Sequence, residues 1–208
     1  MTGIELSFLD FIQNSLRSGI TDFLMVLVTH MGDLAAVWIA IALALFLRGG
    51  ERKAALAIIV GIVLAAIIGS LVLKPLVARP RPCDVDLGVQ LLIARPVDFS
   101  FPSGHTAAAF AATSVLFLAR NRGRALAAVL ASLIAFSRLY LFVHYPTDVL
   151  GGALLGILCG WLAWYLCGLV ARWQAARRKR KEFVVPRGRP RNPAGVQTAD
   201  EDETEAQR

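Results

Sequence analysis

Cysteine, acidic clusters and a basic leader are all scarce in this 208-residue chain. Of its 3 cysteines, Cys83 lies in a polar loop, while Cys159 and Cys167 lie inside an apolar run. That excludes a disulfide framework and gives none of the paired spacings of a zinc site. Acidic residues number only 15, and the three in the central loop, Asp84, Asp86 and Asp98, are irregularly spaced. They read as solvated loop acids rather than metal ligands, so neither a metal nor another cofactor is expected. The first apolar patch, Ile4 to Leu16, carries Glu5 and Asp10 and lacks a basic start and a small-residue cleavage site, so no cleavable signal is expected. Charged residues make up only 18% of the chain. The net charge of +7 is concentrated where Arg177-Arg178-Lys179-Arg180-Lys181 follows an apolar span. Such a cluster fixes membrane orientation and touches anionic lipid; a nucleic-acid partner is not expected.

What the chain has in quantity is hydrocarbon. It is 56% hydrophobic with a mean hydropathy of +0.59, outside the range of soluble domains. The expected fold is an all-α, multi-pass membrane bundle over residues 1–172, with about five spans and an N-terminal interfacial helix. Apolar residues recur at helical spacing between Ile4 and Leu16, too short a stretch to span. Thr21-Asp22 suits the cap of a helix starting near Phe23. The apolar run that follows, reaching Leu47, is interrupted by Gly32-Asp33. Counting from Leu34 leaves about 21 Å of helix, so either this span starts earlier or it is broken at Gly32. Ala54–Leu73, Gly104–Ala119, Ala125–Val143 and Val149–Ala171 supply the other spans. Gly152, Gly156 and Gly160 recur every four residues, a small-residue face. It serves close packing inside the bundle, the preferred reading, or a homo-oligomer interface between protomers. Residues 173–208 read as a basic-then-acidic tail, disordered over 186–208.

Five spans put the Arg48–Lys53 turn, the Arg120–Arg124 turn and the tail on one side, which carries 16 of the 22 Lys and Arg. Basic residues favour the cytoplasm, so the C-terminus is expected inside and the N-terminus outside. Lys74, His105, Arg138 and Asp148 then fall together on the external face.

Three polar clusters meet there. In Pro102-Ser103-Gly104-His105, Ser103 suits a helix cap, and Gly104 lets a ligand approach unpaired amides that attract anions. His105 is placed to protonate a leaving oxygen, or is merely an interfacial histidine. In His144-Tyr145-Pro146-Thr147-Asp148, Pro146 suits a first helical turn, and the four-residue spacing lets Asp148 fix the tautomer of His144. The blander alternative is an Asp that caps the last span. Lys74, Arg81 and Arg138 offer a compact charge and two planar forks for phosphate oxygens, or snorkel at span ends. Taken together, the clusters can neutralise, attack and protonate a phosphate ester. Arg79 and Arg95 either steer an anionic headgroup or are solvated, and His30 reads as structural.

Lys74 with six residues before Arg81-Pro82, then Pro102-Ser103-Gly104-His105, then Ser137-Arg138, His144 and Asp148 resembles the three-part signature of the PAP2 (type 2 phosphatidic acid phosphatase) superfamily. That family includes membrane lipid phosphatases and soluble vanadium haloperoxidases, and the likeness covers residues 74–148. It implies a haloperoxidase-like helical core and metal-independent catalysis. It further implies that His144 is the nucleophile, Asp148 its orienting partner and His105 the general acid. Lys74, Arg81, Ser103, Gly104 and Arg138 would hold phosphate oxygens. The implied substrate is a lipid phosphate, with undecaprenyl diphosphate ahead of phosphatidic acid and phosphatidylglycerophosphate. A lipid phosphotransferase and a non-catalytic lipid-binding scaffold are the readings from other classes. A channel fits worst, because no polar residue lies deep in the longest spans.

Overall fold

A computed structural model describes residues 2–184, and every regular element among them is helical. In order these are α1 (Thr2–Leu16), α2 (Gly19–Met31), a 3₁₀ turn (Asp33–Ala35), α3 (Ala36–Arg48) and α4 (Arg52–Ala66). A π-helical segment (Ile67–Leu73) runs on into α5 (Lys74–Val77), followed by α6 (Pro82–Val85), α7 (Gly104–Leu118), α8 (Arg124–Tyr140) and α9 (Pro146–Val184). Residues 1–172 form one compact unit. The expected disorder of 186–208 lies outside the described residues; within 173–184 the chain is helical.

Among the described residues two stretches, Arg52–Val85 and Pro146–Arg178, are long and apolar enough to cross a membrane. The pair α2–α3 meets the same measure only as one span bent by 53°. The choice left open at Gly32 therefore resolves as a break, where Leu34 and Ala35 take left-handed φ of 49° and 57°. Helices α7 and α8 have 15 and 17 residues, about 22 and 26 Å at the usual rise, short for a bilayer. Helix α2 starts earlier than Thr21-Asp22 suggests. Ser18 is the cap, accepting from Thr21 N at 3.3 Å while Thr21 Oγ1 accepts from Ser18 N at 2.9 Å. Asp22 is thereby free to hold Arg17 at 3.1 Å and accept from the Tyr140 hydroxyl at 2.5 Å.

Small residues let the helices close on α7. Ala54, Ala57, Ala109, Ala112 and Ala131 form one buried cluster with Trp38, Ile58 and Ile134. The glycine face of α9 is consumed here. A Cβ on Gly152 would lie 2.6 Å from Ser103 O, one on Gly156 2.3 Å from Ala107 O, and one on Gly160 2.4 Å from Ala111 O. The homo-oligomer option through Gly152, Gly156 and Gly160 gives way for that reason: α7 already covers them. A side chain at these positions would push the helices apart, at about 1–3 kcal/mol each.

Helix α1 does more than rest on an interface. Leu9 and Ile12 are fully buried against Tyr140, Phe142, Val143, Tyr145 and Cys83. That docks the N-terminus onto the segment between α8 and α9, which carries His144.

Candidate active site

A cavity of about 770 Å³ opens where the break after α2, the end of the π segment, the loop before α7 and the α8–α9 connection converge. Lys74, Arg81, Gly104, His105, Arg138 and His144 line it. Six of the eight residues singled out from sequence thus face one space. The other two, Ser103 and Asp148, are buried behind it.

Lys74 arrives at the end of the Ile67–Leu73 π segment. Such a stretch widens the helical turn and re-aims the side chain that follows, a distortion frequent at functional sites. Arg81 is held in a fixed pose from three directions. Its Nε donates to Asp98 O at 2.8 Å, Nη1 to Val143 O at 2.7 Å, and Nη2 to Asp98 Oδ1 at 2.6 Å.

Arg81 Nη1 also lies 3.1 Å from His144 Nε2. A guanidinium can only donate, so Nε2 must present its lone pair and the ring proton sits on Nδ1. Nδ1 faces Asp148 Oδ2 at 3.6 Å, an ion-pair contact longer than a hydrogen bond. Burial, reinforced by the charges of Arg81 and Arg138 and only partly opposed by Asp148, pushes the imidazole down to about 3. His144 is therefore neutral at ordinary pH, with its free electron pair turned toward the cations.

The four-residue spacing joins His144 to Asp148, though not along a helical face. His144 precedes α9, and Asp148 sits in its first turn. Both readings of that carboxylate hold at once. Its Oδ2 accepts from Tyr145 N at 2.9 Å, as a cap would, and from Ser100 Oγ at 2.5 Å, while facing the imidazole.

Ser103 departs from expectation. It occupies the N-cap of α7 without a capping bond. Its hydroxyl accepts from Thr106 Oγ1 at 3.0 Å and its backbone N–H donates to Asp148 O at 3.0 Å. Ser103 therefore ties α7 to α9, and a cavity-facing phosphate would meet Gly104 instead. Arg138, at the end of α8, donates from Nη1 to Thr29 Oγ1 at 2.5 Å, and its buried Nε has no partner among the described residues.

Three groups escaped the sequence reading. Asp98 is half exposed, as a solvated loop acid would be, yet it also bridges Lys74 and Arg81. Despite partial burial, the Lys74 hydrogen bond and the Arg81 charge hold its carboxyl at about 2. Arg79 neither steers a headgroup nor stands in solvent. Its Nη1 donates to Asp148 Oδ1 and Thr147 Oγ1, each at 2.7 Å, and its Nη2 to Glu5 Oε2 at 2.5 Å. Asp33 accepts from His105 Nε2 at 2.8 Å and from His30 Nδ1 at 2.7 Å. Irregular spacing concealed all three, because their partners, His30 apart, lie 17 to 74 residues away. The only sequence signal was that of Asp33, a polar residue in an otherwise apolar stretch. Among the described residues no group of His, Cys, Asp and Glu is arranged to hold a metal ion.

Three cations, two histidines of different setting and an uncapped helix start around one cavity fit a phosphate ester. The superfamily profile described as PAP2 matches residues 54–171. The chain belongs to the PAP2 superfamily. Among its relatives is the undecaprenyl-diphosphatase BcrC of Bacillus subtilis, 36% identical over 70% of this chain and 75% of that one. Another is the decaprenylphosphoryl-5-phosphoribose phosphatase of Mycolicibacterium smegmatis, 38% identical over 60% of this chain and 67% of that one. Among solved structures, the transmembrane PAP2-type phosphatidylglycerolphosphate phosphatase of Bacillus subtilis superposes with a TM-score of 0.64 at 26% identity. That match covers 78% of this chain and 83% of that chain. This PAP2 protein is accordingly an all-helical membrane protein and a lipid phosphatase.

Proposed function

We propose that this PAP2 phosphatase hydrolyses a polyprenyl diphosphate, undecaprenyl diphosphate foremost, through a phosphohistidine at His144 on the external face of the cell membrane. The tautomer of His144 carries the reading: Nε2 offers its lone pair beside Arg81, while Nδ1–H faces a buried Asp148.

In the first step His144 Nε2 attacks phosphorus, the bond from phosphorus to the bridging oxygen breaks, and His105 gives that oxygen a proton. Asp148 stabilises the charge that develops on the imidazole, and the 3.6 Å contact shortens as it does. Lys74, Arg81, Arg138 and the N-terminal amides of α7 at Gly104 hold the non-bridging oxygens. Ser103 contributes by anchoring that helix start to α9. In the second step water attacks the phosphohistidine, His105 takes the water proton, the P–N bond breaks and phosphate leaves.

The diphosphate is favoured because BcrC carries that activity and matches over most of both chains. Phosphatidic acid, phosphatidylglycerophosphate and polyprenyl-linked phosphosugars are the competing substrates. The five-span reading of the sequence, which puts 16 of 22 basic residues on the side of the tail, argues for an external site and a cytoplasmic C-terminus.

Purified protein is assayed against these four lipids, with and without chelator, and phosphate release is measured. Undecaprenyl diphosphate is expected to give the highest kcat/KM, unaffected by chelator. His144→Ala is expected to lose turnover and acid-labile labelling of the protein from ³²P-substrate together. Hydrolysis retained in that variant refutes the mechanism, and label appearing in a new phosphoester instead of phosphate shows a transferase.

A further inference from the structure

The break between α2 and α3 costs conformational energy that the fold has retained. Leu34 and Ala35 both adopt left-handed φ, at 49° and 57°, although neither is glycine. Left-handed backbone is unfavourable for an L-residue, and such strain collects at functional sites. The Leu34 side chain does not explain it, since it is almost fully exposed; only Ala35 packs into the core.

What the break achieves is the placement of Asp33. Its Oδ1 accepts from His105 Nε2 at 2.8 Å and its Oδ2 from His30 Nδ1 at 2.7 Å. Gly32 beside it is needed for the same contact, because a Cβ there would fall 2.9 Å from His105 Cδ2 and 3.1 Å from Ile134 Cγ2. One turn earlier, Thr29 accepts from Arg138 at 2.5 Å. The segment 29–35 thus backs two cavity residues, and it lies before residues 54–171, which match the family.

A carboxylate only accepts, so Nε2 of His105 carries a proton and Nδ1 is the nitrogen left to exchange one. Nδ1 has no protein partner among the described residues. From these contacts we propose that Asp33 is a positioning residue for His105. It fixes the ring orientation and tautomer, leaves Nδ1 as the proton-donating atom, and stabilises the imidazolium before the proton is passed on. This inference rests on His105 acting as the general acid.

The test uses leaving groups. A general acid matters when an alkoxide departs and hardly at all when nitrophenolate departs. Full-length wild type, His105→Ala, Asp33→Asn and Asp33→Glu are assayed on phosphatidic acid and on 4-nitrophenyl phosphate. Asp33→Asn is expected to lose roughly tenfold or more on phosphatidic acid in kcat/KM, which covers only the steps up to departure of the leaving group and not the shared hydrolysis of the phosphohistidine. On 4-nitrophenyl phosphate it is expected to stay near wild type. Asp33→Glu, which keeps the carboxylate, is expected to recover part of the loss. Equal loss on both substrates in Asp33→Asn, or no loss on either, overturns the proposal while selective loss in His105→Ala leaves the general-acid reading standing. If His105→Ala itself shows no leaving-group selectivity, the general-acid reading fails and the role of Asp33 fails with it.

Discussion

Arg79 donates to the buried carboxylate of Asp148 at 2.7 Å and stacks 3.8 Å above the ring of Tyr145. Its other nitrogen reaches Glu5 on α1, and Glu5 in turn accepts from Thr147 N at 3.1 Å and Thr147 Oγ1 at 2.6 Å. The first helix of the chain is therefore wired to the carboxylate behind His144.

Removing that link should be felt in both stability and rate. Arg79→Ala leaves Asp148, wholly buried, without its counter-charge, a change that costs about 3 kcal/mol for buried pairs. The variant is expected to melt at lower temperature and to lose kcat more than KM rises. Arg79→Lys is expected to recover charge but not the two-pronged geometry, giving an intermediate kcat. Thermal unfolding in detergent, together with steady-state kinetics, checks both.

Asp98 bridges Lys74 and Arg81, the two cations proposed to hold phosphate oxygens. Asp98→Asn keeps the shape and removes the charge. Inorganic phosphate is expected to inhibit this variant at a lower concentration than wild type, by roughly tenfold if one competing contact of about 1.4 kcal/mol is lost. A phosphate inhibition constant unchanged or raised in Asp98→Asn would mean that the carboxylate organises the cations instead of competing for them.

His144 and Asp98 contribute acid sensitivity in separable windows. His144 takes up its proton near 6.5 in the unfolded chain but only near 3 when folded. The unfolded state therefore binds more protons between those values, and stability falls as pH drops from about 6.5 to about 3. Asp98 works lower: its contribution is present above 3.8 and is lost as pH falls through about 2. Unfolding midpoints measured across pH are expected to be flat above neutrality and to decline below it. His144→Asn is expected to flatten the upper part of that decline.

Much of this was legible in the residues. Lys74, Arg81, His105, Arg138 and His144 could be assigned to one cavity because polar clusters at the ends of apolar runs gather where the runs end. The pairing of His144 with Asp148 was legible from their spacing, although the helix starts between them and the geometry is set by Pro146 and the Tyr145 amide. Ser103 was legible as a cap position but not as an uncapped one, because nothing local shows that its hydroxyl bonds Thr106.

By itself, the sequence determined the helical membrane class, the PAP2 signature and the cations within it. Hydrophobic run length and short-range spacing encode those directly. Only the tertiary structure decided which acids answer which bases. Asp98 to Arg81, Arg79 to Glu5 and Asp33 to His105 are contacts between separate elements. Their existence depends on how α1 docks, how the loop before α7 folds back and how sharply the chain breaks at Gly32, and none of these is written in neighbouring residues.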